Sequence, residues 1–214
     1  ALTHGKGCKL YDADGNEYLD FLAGIAVNSL GHAHPALVKA ISEQAAKLMH
    51  CSNIYYTDIQ AKAVKEIIET TGFDRVFLAN SGAEANEGAI KLARKYGHQK
   101  NEGKYRIITA VHSFHGRTMM TVTATGQPKY QQGYEPLPAG FDYVPYGDLE
   151  ALREAMDEDV CCVLLEPIQG EGGVHVPSDT YLHEARLLCD KYDALLVFDE
   201  IQTGVARTGK WFAY

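Results

Sequence analysis

Four short segments of this 214-residue sequence collect side chains able to do chemistry. Asn80-Ser81-Gly82-Ala83-Glu84 sets a hydroxyl and two small residues in front of an amphipathic run. A helix that starts there offers free amides and the positive end of its dipole to a phosphate, without any basic side chain. In His112-Ser113-Phe114-His115-Gly116-Arg117-Thr118, Phe114 is suited to stacking on a planar ring and Arg117 to holding a carboxylate through a two-pronged pair. Glu166 and Glu171 lie five apart among glycines, fit either for acid–base work or to remain as solvated loop charges. Asp199-Glu200-Ile201-Gln202 places an acid at the end of an apolar run, where low dielectric demands a cationic partner.

Two chemistries use an acid in that position. Nucleotide hydrolysis is one, and Gly204 to Lys210 spells G-x-x-x-x-G-K. That match fails because Trp211 stands where a magnesium-binding hydroxyl is required, and because the glycines follow the acid instead of preceding it. Pyridoxal phosphate chemistry is the other, since an aspartate paired with the protonated ring nitrogen keeps the ring an electron sink. It needs a phosphate cradle, a ring stacker and a pyridinium partner, which Gly82 with its neighbours, Phe114 and Asp199 supply. No metal site is expected. His112 and His115 lack a third ligand at suitable spacing, and His32 and His34 read as part of a turn before Pro35. Asp12, Asp14 and Asn16 begin like a calcium loop but have the glycine, Gly15, at position four and Ala23 where a bidentate Glu belongs.

The elements that must position these residues follow from periodicity. Lys9 to Asp12 and Glu17 to Phe21 flank a turn cluster as a β-hairpin does, and apolar residues from Pro35 to Met49 recur at helical spacing. Beyond Arg75, the apolar runs Val76–Ala79, Ile107–Val111, Cys161–Leu165 and Leu195–Phe198 read as strands. Between them, amphipathic segments 83–96, 149–156 and 181–192 read as helices, the first opened by a Ser81/Glu84 capping box and closed by Gly97. Alternating strands and helices predict an α/β fold with a parallel sheet covered on both faces, which binds ligands at the carboxyl ends of its strands. All four chemical segments follow such a strand.

Hydrophobic residues make up 46% and charged residues 22% of the chain, an ordinary globular balance. The length suits one domain with an appendage, divided here into a hairpin and helix region, 1–50, and a large domain, 51–214. A net charge of −8 disfavours nucleic acid or an anionic membrane as partner. Five cysteines without a CxxC pair, no leader pattern and no long apolar run lead to the expectation of a soluble cytoplasmic protein with reduced thiols.

Taken in order, the blocks Asn80–Glu87, Phe114–Thr118, Glu166–Glu171 and Asp199–Gly204 resemble those of the class III pyridoxal-phosphate-dependent aminotransferases of fold type I. Within that family, Ala23–Pro35 is most similar to the acetylornithine branch, with ornithine and succinylornithine enzymes as alternatives. The resemblance implies that Ser81, Gly82 and Ala83 bind the cofactor phosphate, Phe114 stacks on the ring, Asp199 pairs with the ring nitrogen and Gln202 lies near the ring hydroxyl. Glu200 and Ile201 belong to the same cofactor-binding block. Arg117 would hold a substrate carboxylate, and Glu171 would lie near a second carboxylate-binding arginine. It further implies a small-molecule amino donor, 2-oxoglutarate as acceptor and a homodimer. The family's Schiff-base lysine is expected beyond Tyr214, so these 214 residues would form an incomplete large domain, inactive alone. Val76–Ala79 would then lack strand partners. A cofactor-binding module without catalysis is the competing class.

Overall fold

The computed structural model describes all residues from Ala1 to Tyr214. Two compact units are present, Ala1–Glu69 and Thr70–Tyr214, a division at 69/70 where the sequence reading has 50/51.

In the first unit, β1 (Leu2–Lys6), β2 (Lys9–Asp12) and β3 (Glu17–Leu19) form an antiparallel sheet in that order. Asp12 closes the β2–β3 turn: its Oδ1 accepts the Asp14 and Asn16 amides, and its Oδ2 accepts the Tyr18 hydroxyl. These bonds, the Asn16 side chain first among them, hold its carboxyl down at about 2. A hairpin turn therefore consumes the calcium-like triplet. A four-residue turn, α1 (Ala23–Ala26), follows, and Pro35 opens helix α2 (Pro35–Ala45), with His34 as its N-cap. His32 bonds the Asp20 carboxylate at 2.6 Å. Helix α3 (Asp58–Thr71) runs across the unit boundary. No residue of α2 or α3 is buried, although α2 carries the expected apolar stripe.

The second unit contains α4 (Gly82–Lys100), β4 (Arg106–Ala110), α5 (Met119–Ala124), α6 (Pro128–Gln131), β5 (Phe141–Val144), α7 (Leu149–Ala155), β6 (Val160–Leu165), α8 (Tyr181–Lys191) and β7 (Leu195–Phe198). Its four strands pair in parallel in the order β5-β4-β6-β7. Ile108, Ala110, Val163 and Leu165 face one way and pack with Leu152 of α7 and Ala185 and Cys189 of α8. Ile107, Cys162 and Leu164 face the other way, against Ile90 and Ala93 of α4 and Ala124 of α5. The sheet is thus covered on both faces, as continuous apolar strands require. Adjacent Cys161 and Cys162 share one face because the β4–β6 register slips between Arg106 and Ile107, leaving an extra residue on β6.

Three expectations need correction. Val76–Ala79 is not a strand: the four-stranded sheet ends at β5 and β7, and no strand pairs with this apolar run. Phe77 is left 76% exposed. Gly97 does not end its helix, which continues to Lys100; it is buried so close to the segment leading into β4 that a Cβ there would come within 2.1 Å of the Lys104 carbonyl oxygen. The capping box is displaced by one residue. Ser81 Oγ accepts the Glu84 amide as expected, but the Glu84 carboxylate reaches the Asn80 amide instead of that of Ser81. β5 escaped the sequence reading because Phe141–Val144 is a short run interrupted by Asp142.

Candidate functional site

The carboxyl ends of β4, β6 and β7 and the start of α4 surround a cavity of about 300 Å³. Gly82, Ala83 and Asn86 line it from α4, and Phe114, His115, Gly116 and Arg117 from the loop after β4. Glu166 lines it from the end of β6, and Asp199, Ile201 and Gln202 from the end of β7. Two glycines permit this convergence. A Cβ on Gly82 would meet Ile201 Cγ1 at 2.8 Å, and one on Gly116 would meet Thr121 Oγ1 at 2.6 Å and Ala83 Cβ at 2.9 Å. Gly116 also has φ +130°, in the region that disfavours side chains.

Asp199 is 6% exposed and fully engaged. Its Oδ2 accepts Asn86 Nδ2 at 2.7 Å and lies 2.9 Å from His115 Nδ1, and its Oδ1 accepts the Ile201 amide at 3.1 Å. Burial favours the protonated acid, but the bond and charge of His115 and the Asn86 amide outweigh it, holding the carboxyl below the ordinary range. His115 supplies a buried hydrogen-bonding partner for the acid through Nδ1, and its Nε2 is buried without a partner. Asn86 also donates to the His115 carbonyl at 2.8 Å, so one amide fixes both members of the pair.

At the other side of the cavity, Ser81 caps α4, and the Gly82 and Ala83 amides, the first two of a 19-residue helix, have no intrahelical acceptor. Phe114 meets Tyr130 edge-on at 5.8 Å, and the Arg117 guanidinium lies 3.9 Å from the Tyr130 ring centre. Glu171 stands outside the cavity, accepting Gln127 Nε2 and the Tyr130 hydroxyl, each at 2.5 Å. Burial raises its carboxyl, but these two bonds prevail and leave it lowered. Glu166 is 4% exposed, and burial pushes it up to about 7.

The structure therefore brings together Gly82, Ala83, Phe114, Arg117, Asp199, Ile201 and Gln202. Ser81 and Glu171 border that group without lining the cavity. Glu200 turns away: its carboxylate accepts the Ala213 and Tyr214 amides and the Thr203 hydroxyl. Asn86 and His115 were missed as site residues, and Glu166 was an acid–base candidate whose alternative was a solvated loop charge. All three lie inside the chemical blocks, but only the tertiary fold buries them beside Asp199.

This donor set fits pyridoxal phosphate, with open helix amides for a phosphate, an aromatic ring in the wall and a buried ionised acid opposite. The class-III aminotransferase family profile matches residues 1–214 in full. The chain belongs to the class-III aminotransferases. That family consists of pyridoxal phosphate enzymes. The chain is 58% identical to the acetylornithine aminotransferase of Caldanaerobacter subterraneus subsp. tengcongensis over 100% of its own length and 54% of that protein. To the succinylornithine transaminase/acetylornithine aminotransferase of Pseudomonas aeruginosa it is 53% identical, over 99% of the chain and 52% of the relative. Among solved structures, the N-acetylornithine aminotransferase of Stenotrophomonas maltophilia matches with TM-score 0.86 at 44% identity, covering all of this chain and 54% of that one. The ornithine aminotransferase of Toxoplasma gondii ME49 matches with TM-score 0.95 at 39% identity, covering all of this chain and 52% of that one. These class-III relatives are thus about twice as long as the 214 residues described.

Proposed function

We propose that the whole protein transfers an amino group from N2-acetyl-L-ornithine to 2-oxoglutarate through pyridoxal phosphate, a step of arginine biosynthesis. The observation that carries this reading is the buried, ionised Asp199 in a cavity that also presents the open amides of Gly82 and Ala83. The acetylornithine names of the C. subterraneus and S. maltophilia relatives support the choice of donor.

When bound, pyridoxal phosphate supplies the electron sink that lets the substrate amino carbon release its proton. The helix amides of Gly82 and Ala83, with Ser81 beside them, hold the phosphate. Asp199, kept ionised by His115 and Asn86, holds the proton on the ring nitrogen. Phe114 stacks on the ring, Ile201 packs in the cavity wall, and Gln202 donates to the ring hydroxyl. Arg117, on its aromatic support, binds a substrate carboxylate through paired hydrogen bonds. Glu171, joined to Arg117 through Tyr130, is assigned to the side of the site where a second carboxylate-binding arginine would lie. The chain spans about half the length of its relatives, so turnover is assigned to the full-length protein. We further assign it a homodimeric state, supported by the uncovered apolar stripe of α2, and a cytoplasmic location.

The test compares N-acetylornithine, ornithine and N-succinylornithine as donors to 2-oxoglutarate with the full-length protein. The acetylated donor should give the highest kcat/KM. Preference for ornithine would transfer the assignment to that activity, and cofactor binding without turnover on any donor would favour the non-catalytic module.

A further inference from the structure

Glu166 is an ionisable side chain of the cavity that the proposed reaction leaves without a task. It follows β6 directly, and its two oxygens reach different loops. Oε2 accepts the Phe114 amide at 3.1 Å, and Oε1 accepts the Gly170 amide at 3.4 Å. Gly170 is itself in close contact with Gln202, since a Cβ there would come within 2.3 Å of Gln202 Oε1. One carboxyl thus touches the backbone of the ring-stacking residue and of the residue on which Gln202 rests. The Tyr146 hydroxyl, within 2.8 Å of the Glu166 and Pro167 carbonyl oxygens, holds the Glu166 backbone from the β5 side.

We propose that Glu166 is a positioning residue for the cofactor site, whose buried carboxyl ties the Phe114 loop to the Gly170 turn and whose proton sets how firmly they are tied. The inference rests on the proposed function only for what Phe114 and Gln202 contact; the tie itself is independent of it.

The charged and titratable groups around Glu166 determine the sign. The loop after β4 brings His115 and Arg117, the loop after β5 brings Tyr146, and the end of β7 brings Asp199, while α4 contributes the neutral Asn86. Burial, the leading cause, and Asp199 favour the proton; His115 and the two amides oppose them, and the carboxyl settles at about 7. Loop opening returns Glu166 to water, where a carboxyl ionises far more readily. Opening is therefore favoured as pH rises toward about 7 and levels off above it. The two amide bonds by themselves favour the ionised form, but burial outweighs them, so closure of the loops over Glu166 weakens on balance as it ionises.

Hydrogen exchange of the cofactor-free full-length protein tests this, with rates corrected for intrinsic base catalysis. Protection of the Phe114 and Gly170 amides should fall by up to about 70-fold between about pH 5 and about pH 8, a magnitude set by the rise of the carboxyl from 4.5 to about 7. Glu166→Gln should remove that dependence, its single carbonyl oxygen keeping one of the two amides protected at every pH. A wild-type profile that is flat, or a step that survives in Glu166→Gln, overturns the proposal. If the variant does not fold, infrared titration of the wild-type protein decides: a buried carboxyl band lost near pH 7 supports the tie, and its absence overturns it. Failure to bind pyridoxal phosphate would refute the proposed function and leave the exchange result standing.

Discussion

At the scale of single residues, the site depends on two carboxyl groups that the same cavity drives apart. Asp199 is held below its ordinary range by His115 and Asn86, whereas burial lifts Glu166 to about 7. The stability contributed by Asp199 is therefore present above about pH 3.8 and is lost only as pH falls through its lowered value. For Glu166 the sign reverses: its contribution is full below about pH 4.5 and is lost as pH rises through about 7. Full-length Glu166→Gln should therefore gain stability over wild type across that interval, by about 2 kcal/mol in denaturant titrations at successive pH values. A difference independent of pH would remove Glu166 from this account. Asp199→Ala in the full-length enzyme should lower turnover by about a thousand-fold, as the loss of a preorganised charge does. Absorbance titration should show the cofactor still bound through its phosphate, and near wild-type turnover would deny Asp199 its role. Asp199 was legible in the sequence because an acid at the end of the apolar strand Leu195–Phe198 must find a cationic partner to stay ionised there. Glu166 was only half legible, because a carboxylate among glycines suits acid–base work or a solvated loop charge equally until the loops after β4 and β6 close over it.

At the scale of elements, periodicity located what the sheet buries and failed where neighbours decide. β7 spans the four residues that the apolar run marks, and α7 and α8 agree with their amphipathic segments to within a residue at each end. Val76–Ala79 has the same apolar character as β7, yet a strand exists only where another strand accepts its hydrogen bonds. Gly97 shows the same limit in a helix. Local rules make it a terminator, but its place against the Lys104 carbonyl makes it a spacer between α4 and the segment leading into β4. Gly97→Ala accordingly sets two effects against each other. Helix propensity favours alanine by about 1 kcal/mol, while a Cβ 2.1 Å from a backbone oxygen forces a shift whose cost, about 1–3 kcal/mol in packed interiors, is at its upper end here. The net expectation is destabilisation by about 2 kcal/mol in a denaturant titration, and a neutral or stabilising result would mean that α4 moves freely on the sheet.

At the scale of the whole molecule, what is covered contrasts with what is open. In Thr70–Tyr214 the inner strand β6 is buried along its entire length, whereas the edge strands β5 and β7 have no strand beyond them and β7 is only half-buried. Ile201 and Trp211 are each 61% exposed, and Phe77 is 76% exposed. In Ala1–Glu69 no residue is buried at all, and Phe21, Met49 and Tyr56 stand in solvent. Large exposed apolar surface and an unpaired parallel edge both drive association between chains. The 214-residue chain produced alone should therefore self-associate at micromolar concentration, read by light scattering, while the full-length protein remains in one defined state. Unfolding of the isolated chain should be broad, because Ala1–Glu69 has no buried core of its own to make its melting cooperative. A monomeric chain with one sharp thermal transition, and a heat-capacity change of about 12–15 cal/mol/K per residue, would show that the β6-centred core suffices, and would make the open β7 edge a tolerated feature of the fold.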